Sequence, residues 1–334
     1  MAEVTATKTR SWLWQWLIGI GMTGLAIFIL SRVVQWEEIK IAISSVRLER
    51  LLLVVGVYLI SMVARAWGWQ NLLQRRVSLG RAILGMNEGY FLNNILPFRL
   101  GELGRAFLIG RRTGAGTLNT LSTVVVERAY DLAIAAGILL STLPFVLKMS
   151  WARSIAVIVL IVIISGLVML YFAARNRERL IAWLESRLGR VGVARRVVLP
   201  ALNSLLEGFS VLNRFQLFAL SLGALLLSWG LAIVRDYLVI SALEPTAPFW
   251  WTMLAISASN LGGAVPSMMA SLGTFEGAAT GALVLAGARP EVGLVYAIII
   301  HVIHLLSSSV LGAIGIFQEG ESLSKLIANL RSMR

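Results

Sequence analysis

The stretch Asn93-Asn94-Ile95-Leu96-Pro97-Phe98-Arg99-Leu100-Gly101-Glu102-Leu103-Gly104-Arg105 decides how this chain is read. Long apolar runs flank it, yet its 13 residues hold two Asn, one Pro, two Gly, one Glu and two Arg. An Arg or Asp at the centre of a bilayer costs roughly 2.5–3.5 kcal/mol on insertion scales. Irregular polar backbone at that depth persists only where protein or a wet cavity satisfies it. The stretch therefore reads as a broken, re-entrant helical hairpin and as one half of a transport site.

The bilayer itself is inferred from the totals. Of 334 residues, 57% are hydrophobic and 14% charged, with a mean hydropathy of +0.80. No soluble class has this profile, and the apolar runs approach the ~20 residues that span ~30 Å of hydrocarbon. This predicts an all-α polytopic membrane protein, a single transmembrane domain over residues 1–334. The chain has no cysteine, which excludes disulfides, thiolate nucleophiles and Cys-ligated zinc. The net charge of +13 is read as basic loops that orient the chain and meet anionic headgroups, not as a nucleic-acid surface.

About six transmembrane helices are expected, over residues 13–30, 51–73, 118–147, 154–173, 215–240 and 292–317. Lys8 and Arg10 precede the first apolar run, and no small-residue cleavage pattern follows before Arg32, so a retained helix is expected rather than a cleaved signal. Residues 175–214 carry eight Arg among helically spaced Leu180, Trp183, Leu184 and Leu188, and read as a cytoplasmic amphipathic segment. On this layout 18 of the 30 Lys and Arg are cytoplasmic, seven external and five within membrane elements. That asymmetry predicts a multi-pass protein of the cytoplasmic (inner) membrane with both termini cytoplasmic.

A second broken region shares the grammar of the first. Asn94, Pro97, Gly101 and Glu102 are paralleled by Asn260, Pro266, Gly273 and Glu276. Each set follows a span bearing one Arg (Arg65, then Arg235) and leads into a span with ionisable residues. The first hairpin would enter from the cytoplasm and the second from outside. The expectation is two oppositely oriented re-entrant hairpins in an inverted repeat, repeat 1 over about 51–147 and repeat 2 over about 215–317. Pro97, Gly101, Pro266 and Gly273 would be its hinge or structural positions. Gly and Pro interruptions are also common in membrane helices that carry no site.

The polar residues inside the spans are the candidate translocation site. Glu127 and Asp131 are i, i+4 on one helix face with Arg128 between them, either facing a cavity or neutralising one another between helices. Glu102 and Arg105 have an i, i+3 relation and the same two readings. Guanidinium forks bind phosphate bidentately, so Arg65, Arg99, Arg105, Arg128 and Arg235 suit an anionic or zwitterionic headgroup. For Arg65 and Arg235 the alternative is snorkelling to an interface. Asn94, Asp236 and Glu276 complete the set with His301 and His304, for which a proton-sensitive role beside Glu276 is expected rather than a metal site. No cofactor is expected.

At Asn94-x-x-Pro97-x-Arg99-x-Gly101-Glu102-x-x-Arg105, then Glu127-Arg128-x-x-Asp131, then Pro266-x₆-Gly273-x-x-Glu276-Gly277, the sequence resembles the flippase-like transmembrane family named after the membrane region of lysylphosphatidylglycerol synthases. The likeness covers residues 13–317. It implies a polytopic lipid-translocating module with two re-entrant hairpins, whose motif residues correspond to Asn94, Pro97, Gly101, Glu102, Arg105, Glu127, Arg128, Asp131, Pro266, Gly273 and Glu276. The sequence to Arg334 shows no soluble aminoacyl-transferase domain, so synthase activity is not expected and the cargo need not be aminoacylated. Family members are linked to glycolipid, hopanoid and polyprenyl-linked sugar pathways, which leaves the cargo open. The reading is a lipid flippase, not an enzyme, whose partners are anionic or zwitterionic phospholipids or lipid-linked sugars. It is compatible with a homo-oligomer and with a lipid-synthesising enzyme as partner. The alternatives are an integral-membrane transferase on a lipid-linked donor and a small-solute or ion secondary transporter.

Overall fold

The computed structural model describes residue 37 and residues 46–96, 100–146, 150–188, 198–264 and 269–318. The expected helix over 13–30, and Pro97, Arg99 and Pro266, lie outside the described residues. Among the described residues the regular structure is entirely helical. The first half comprises α1 (Leu48–Leu72), α2 (Leu79–Ile95), α3 (Leu100–Thr113) and α4 (Thr117–Val146). Next come α5 (Ser150–Arg175), α6 (Arg177–Leu188) and α7 (Leu199–Gly208). The second half comprises α8 (Phe215–Leu243), α9 (Phe249–Ala264), α10 (Thr274–Leu285) and α11 (Pro290–Gln318).

Local chemistry explains the boundaries. After α1 the chain turns through Gln74 and Arg75, both with positive φ, and the Arg75 N–H donates to the Gln70 carbonyl at 2.8 Å. Ser78 then caps α2, its hydroxyl accepting from the Arg81 N–H. Between α3 and α4, Gly114 and Gly116 occupy the left-handed region (φ 68° and 85°) that glycine alone enters without strain.

Three of the described helices, α1, α8 and α11, are long and apolar enough to cross a membrane, with 25, 29 and 29 residues. At about 1.5 Å per residue they measure roughly 37–43 Å, more than the ~30 Å of hydrocarbon. Large apolar side chains such as Leu52, Ile60 and Val63 of α1 and Leu306 and Val310 of α11 stay exposed, as a lipid-facing surface requires.

Helices α1 and α8 form the antiparallel centre. The Ser61 hydroxyl lies 3.1 Å from that of Ser228, while Gly68, further along α1, packs on Ser221, further back on α8. Ser61 and Ser228 are each the fourteenth residue of their helix, so equivalent positions touch. The remaining contacts repeat between halves: α2 packs on α3 as α9 packs on α10, and α3 on α4 as α10 on α11. Each first arm also crosses over, α2 against α11 and α9 against α4. The two crossings differ in chemistry. Asn94 donates to Ser308 and Ser309 across α2 and α11, whereas α9 meets α4 through Ile256, Leu261, Ala135 and Ile138.

Within the first hairpin, α2 and α3 approach so closely that a Cβ on Gly101 would collide with the Gly89 carbonyl oxygen. Gly56 on α1 has open space around it. Replacement of Gly101 by Ala should therefore destabilise the fold by at least ~1–3 kcal/mol. Gly56→Ala should be neutral or stabilise by about 0.5–1 kcal/mol. Thermal unfolding midpoints in detergent check this, and equal midpoints for the two variants would show that the hairpin is not closely packed.

Candidate functional site: a cavity walled by guanidinium groups

A cavity of about 250 Å³ lies between the halves. The long helices each supply one stripe at helical spacing: Tyr58, Ser61, Met62 and Arg65 on α1, and Ser228, Trp229, Ala232 and Arg235 on α8. Helix α9 presents Ile256, Ser259, Asn260 and Gly263, and α11 presents Ile300, His301 and His304. Tyr90, Asn93 and Asn94 of α2, Leu96 just after it, Glu102 of α3, Arg128 of α4 and Phe275 of α10 complete the walls, with Ala270 and Ser271 before α10.

The charged side chains are arranged in depth. Arg65, Arg128 and Arg235 line the cavity, while the carboxylates that hold most of their charge, Glu127, Asp131 and Asp236, are not among its lining residues. Glu127 is fully buried; it accepts from Arg65 Nε at 3.1 Å and from Arg105 Nη2 at 2.8 Å. Asp131 accepts from Arg65, from Arg128 Nη1 at 3.2 Å and from the Trp229 indole N–H at 3.0 Å. Arg128 also reaches Glu102 at 3.1 Å. Three guanidiniums and three carboxylates thus form one neutral network joining α1, α3 and α4. Arg105 is buried behind it with its guanidinium 4.8 Å from the centre of the Trp69 ring.

The second half carries smaller pairs. Asp236 accepts from Arg235 at 2.6 Å and from the Tyr296 hydroxyl at 2.9 Å. Glu276 does two things: its Oε2 accepts from the Gly273 N–H at 2.8 Å, capping α10, and its Oε1 meets His301 Nδ1. Gly273 has φ 83°, which explains a glycine at that cap. Glu276 is the third residue of α10 and His301 the twelfth of α11; Glu102 is the third of α3 and Arg128 the twelfth of α4. The two halves therefore hold one equivalent pair each between a carboxylate and a nitrogen side chain, with an imidazole in place of a guanidinium in the second.

Of the sequence-selected residues, Asn94, Glu102, Arg128, Arg235, His301 and His304 line the cavity. Arg105, Glu127, Asp131, Asp236 and Glu276 do not; the four acids touch lining partners, and Arg105 reaches the wall only through Glu127. Arg65, which the sequence left open to snorkelling, is a central lining cation. Tyr58, Tyr90 and Trp229 went unselected; the stripe Tyr58, Ser61, Arg65 along an apolar helix was the available signal. Arg81 lies in the first turn of α2 and is buried against Glu88 at 3.0 Å. Among the described residues no three His, Asp or Glu side chains converge as a metal-binding group.

Replacing Asp236 by Asn leaves the Arg235 guanidinium buried without its counter-charge, a change that typically costs ~3–5 kcal/mol. The double variant Arg235→Gln/Asp236→Asn removes both charges and should recover a large part of that loss. Unfolding in detergent compares the two, and an unperturbed single variant would show that water, not Asp236, compensates the arginine.

No match is found among curated proteins. The family model described as the lysylphosphatidylglycerol synthase TM region does match, over residues 16–312. Those limits take in both halves of the fold and every residue that lines the cavity, so the chain belongs to the family of the lysylphosphatidylglycerol synthase TM region and is a multi-pass membrane protein.

Proposed function

We propose that this protein is a lipid translocase of the cytoplasmic membrane, in which the headgroup of a phospholipid or glycolipid enters the cavity while its acyl chains stay in the bilayer. The observation that carries this reading is the depth arrangement of charge: Arg65, Arg128 and Arg235 in front, Glu127, Asp131 and Asp236 behind. Guanidiniums in that position can bind a phosphate bidentately. The carboxylates behind compensate them when no headgroup is bound, so release does not strand buried charge.

Alternating access by two opposed repeats is supported by the central helix pair. Antiparallel α1 and α8 touching at equivalent serines is the contact expected on a two-fold axis in the membrane plane. The hairpin arms have 17, 14, 16 and 12 residues, roughly 18–26 Å each, which supports re-entrant elements rather than full spans. The Arg-rich α6 supports a cytoplasmic face there, and with it cytoplasmic termini. A catalytic reading has less support, because Glu102, Glu127, Asp131 and Asp236 are each engaged by arginine and none is poised as a general base.

Purified protein in liposomes should carry acyl-labelled lipid between leaflets, read by loss of fluorescence to an impermeant reductant. Arg65→Gln and Arg128→Gln should each slow this at least about tenfold, since a hydrogen bond to a charged group is worth ~1.5–3 kcal/mol. Gel filtration confirms that the variants remain folded. Wild-type rates in both variants would overturn the site; uptake of a soluble solute without lipid movement would identify a solute carrier instead.

A further inference from the structure

The geometry points to a phosphodiester bearing an uncharged polyol, glycerol or a single sugar, as the headgroup this cavity takes in preference to amine-bearing headgroups; this rests on the translocase reading above. Among the described lining residues, the formally charged side chains are Arg65, Arg128, Arg235 and Glu102. Glu102, the acidic one, already faces Arg128 at 3.1 Å. An ammonium group entering here meets three guanidiniums, with its only lining carboxylate engaged. Like charges in one desolvated site repel.

Three of the four aromatic side chains on the wall, Tyr58, Tyr90 and Phe275, are also engaged by a guanidinium or an imidazole. The Arg235 guanidinium sits over the Tyr58 ring at 5.6 Å. Tyr90 packs against His304 with ring centres 5.2 Å apart, and Phe275 against His301 at 4.9 Å. A choline group gains its affinity from an aromatic cage; here the fourth ring, Trp229, is tied through its indole N–H to Asp131 and stands without a second free ring beside it.

The uncharged polar groups elsewhere on the wall are mainly hydroxyls and amides: Ser61, Ser228, Ser259, Asn260, Ser271 and Asn93. Such groups both donate and accept, which matches the hydroxyls of a polyol, whereas an ammonium uses only their lone pairs. A cavity of about 250 Å³ has room for a phosphate with a three-carbon polyol or one sugar ring.

The test uses the full chain in liposomes with three lipids of identical acyl chains: phosphatidylglycerol, phosphatidylcholine and an aminoacylated phosphatidylglycerol. Phosphatidylglycerol should move at least about tenfold faster than the other two. In a second arm, glycerophosphoglycerol should raise the thermal midpoint of the detergent-solubilised protein more than glycerophosphocholine or inorganic phosphate does. Asn260→Asp places a carboxylate of the same shape on the polyol wall and should narrow or reverse the preference. Equal movement of all three lipids overturns the headgroup assignment and leaves the translocase reading intact. No lipid movement, with selective stabilisation by glycerophosphoglycerol, keeps the assignment and overturns the translocase reading. Stabilisation by inorganic phosphate as large as by glycerophosphoglycerol shows that the polyol is not read and overturns the assignment.

Discussion

Glu127 is the constraint on which the first half of the protein depends. Its carboxylate is fully buried, and an ionised carboxylate out of water is tolerated only when paired and hydrogen-bonded. Arg65 reaches it from α1 and Arg105 from α3, while Glu127 itself stands on α4. Satisfying one acid therefore fixes three helices against one another. The consequences spread outward: Arg105 lies over Trp69, the Trp69 N–H donates to Thr123 on α4, and Arg65 extends past Glu127 to Asp131.

The cavity follows from the same arrangement. With their charge compensated from behind, Arg65 and Arg128 can face an open polar space without the cost of isolated buried cations. The second half reaches a similar end by a different route. Its equivalent of the Glu102–Arg128 pair is Glu276–His301, and its counterpart to a shared network is the tight Arg235–Asp236–Tyr296 set. A guanidinium can only donate, whereas a neutral imidazole donates from one ring nitrogen and accepts at the other. Two halves with one plan thus offer the cavity different chemistry.

The bundle is also unequal at its seams. The α2–α11 crossing brings backbones together at Gly312, seats the Glu88 side chain against Gly315 and ties Asn94 to two serines. The α4–α9 crossing is made of aliphatic side chains, with no directional bonds among the residues that form its core. Hydrogen bonds specify one geometry, while aliphatic contacts tolerate sliding. The Asn94 that marked the first break in the sequence serves as one of these ties as well as a wall of the cavity.

Much of the architecture was legible in the residues alone. Apolar run length located α1, α8 and α11 to within three residues at each end, and the Asn, Pro and Gly of 93–105 located the break between α2 and α3. These are local properties: each residue's own cost of burial, or its own backbone restriction, reports them without reference to a partner. The pairings were decided only by tertiary structure. Arg65 finds Glu127 across 62 positions, Ser61 finds Ser228 across 167 and Asn94 finds Ser308 across 214. A buried charge announces that it must have a partner, but which partner, and whether the charge faces a cavity or stands behind one, depends on how the helices cross.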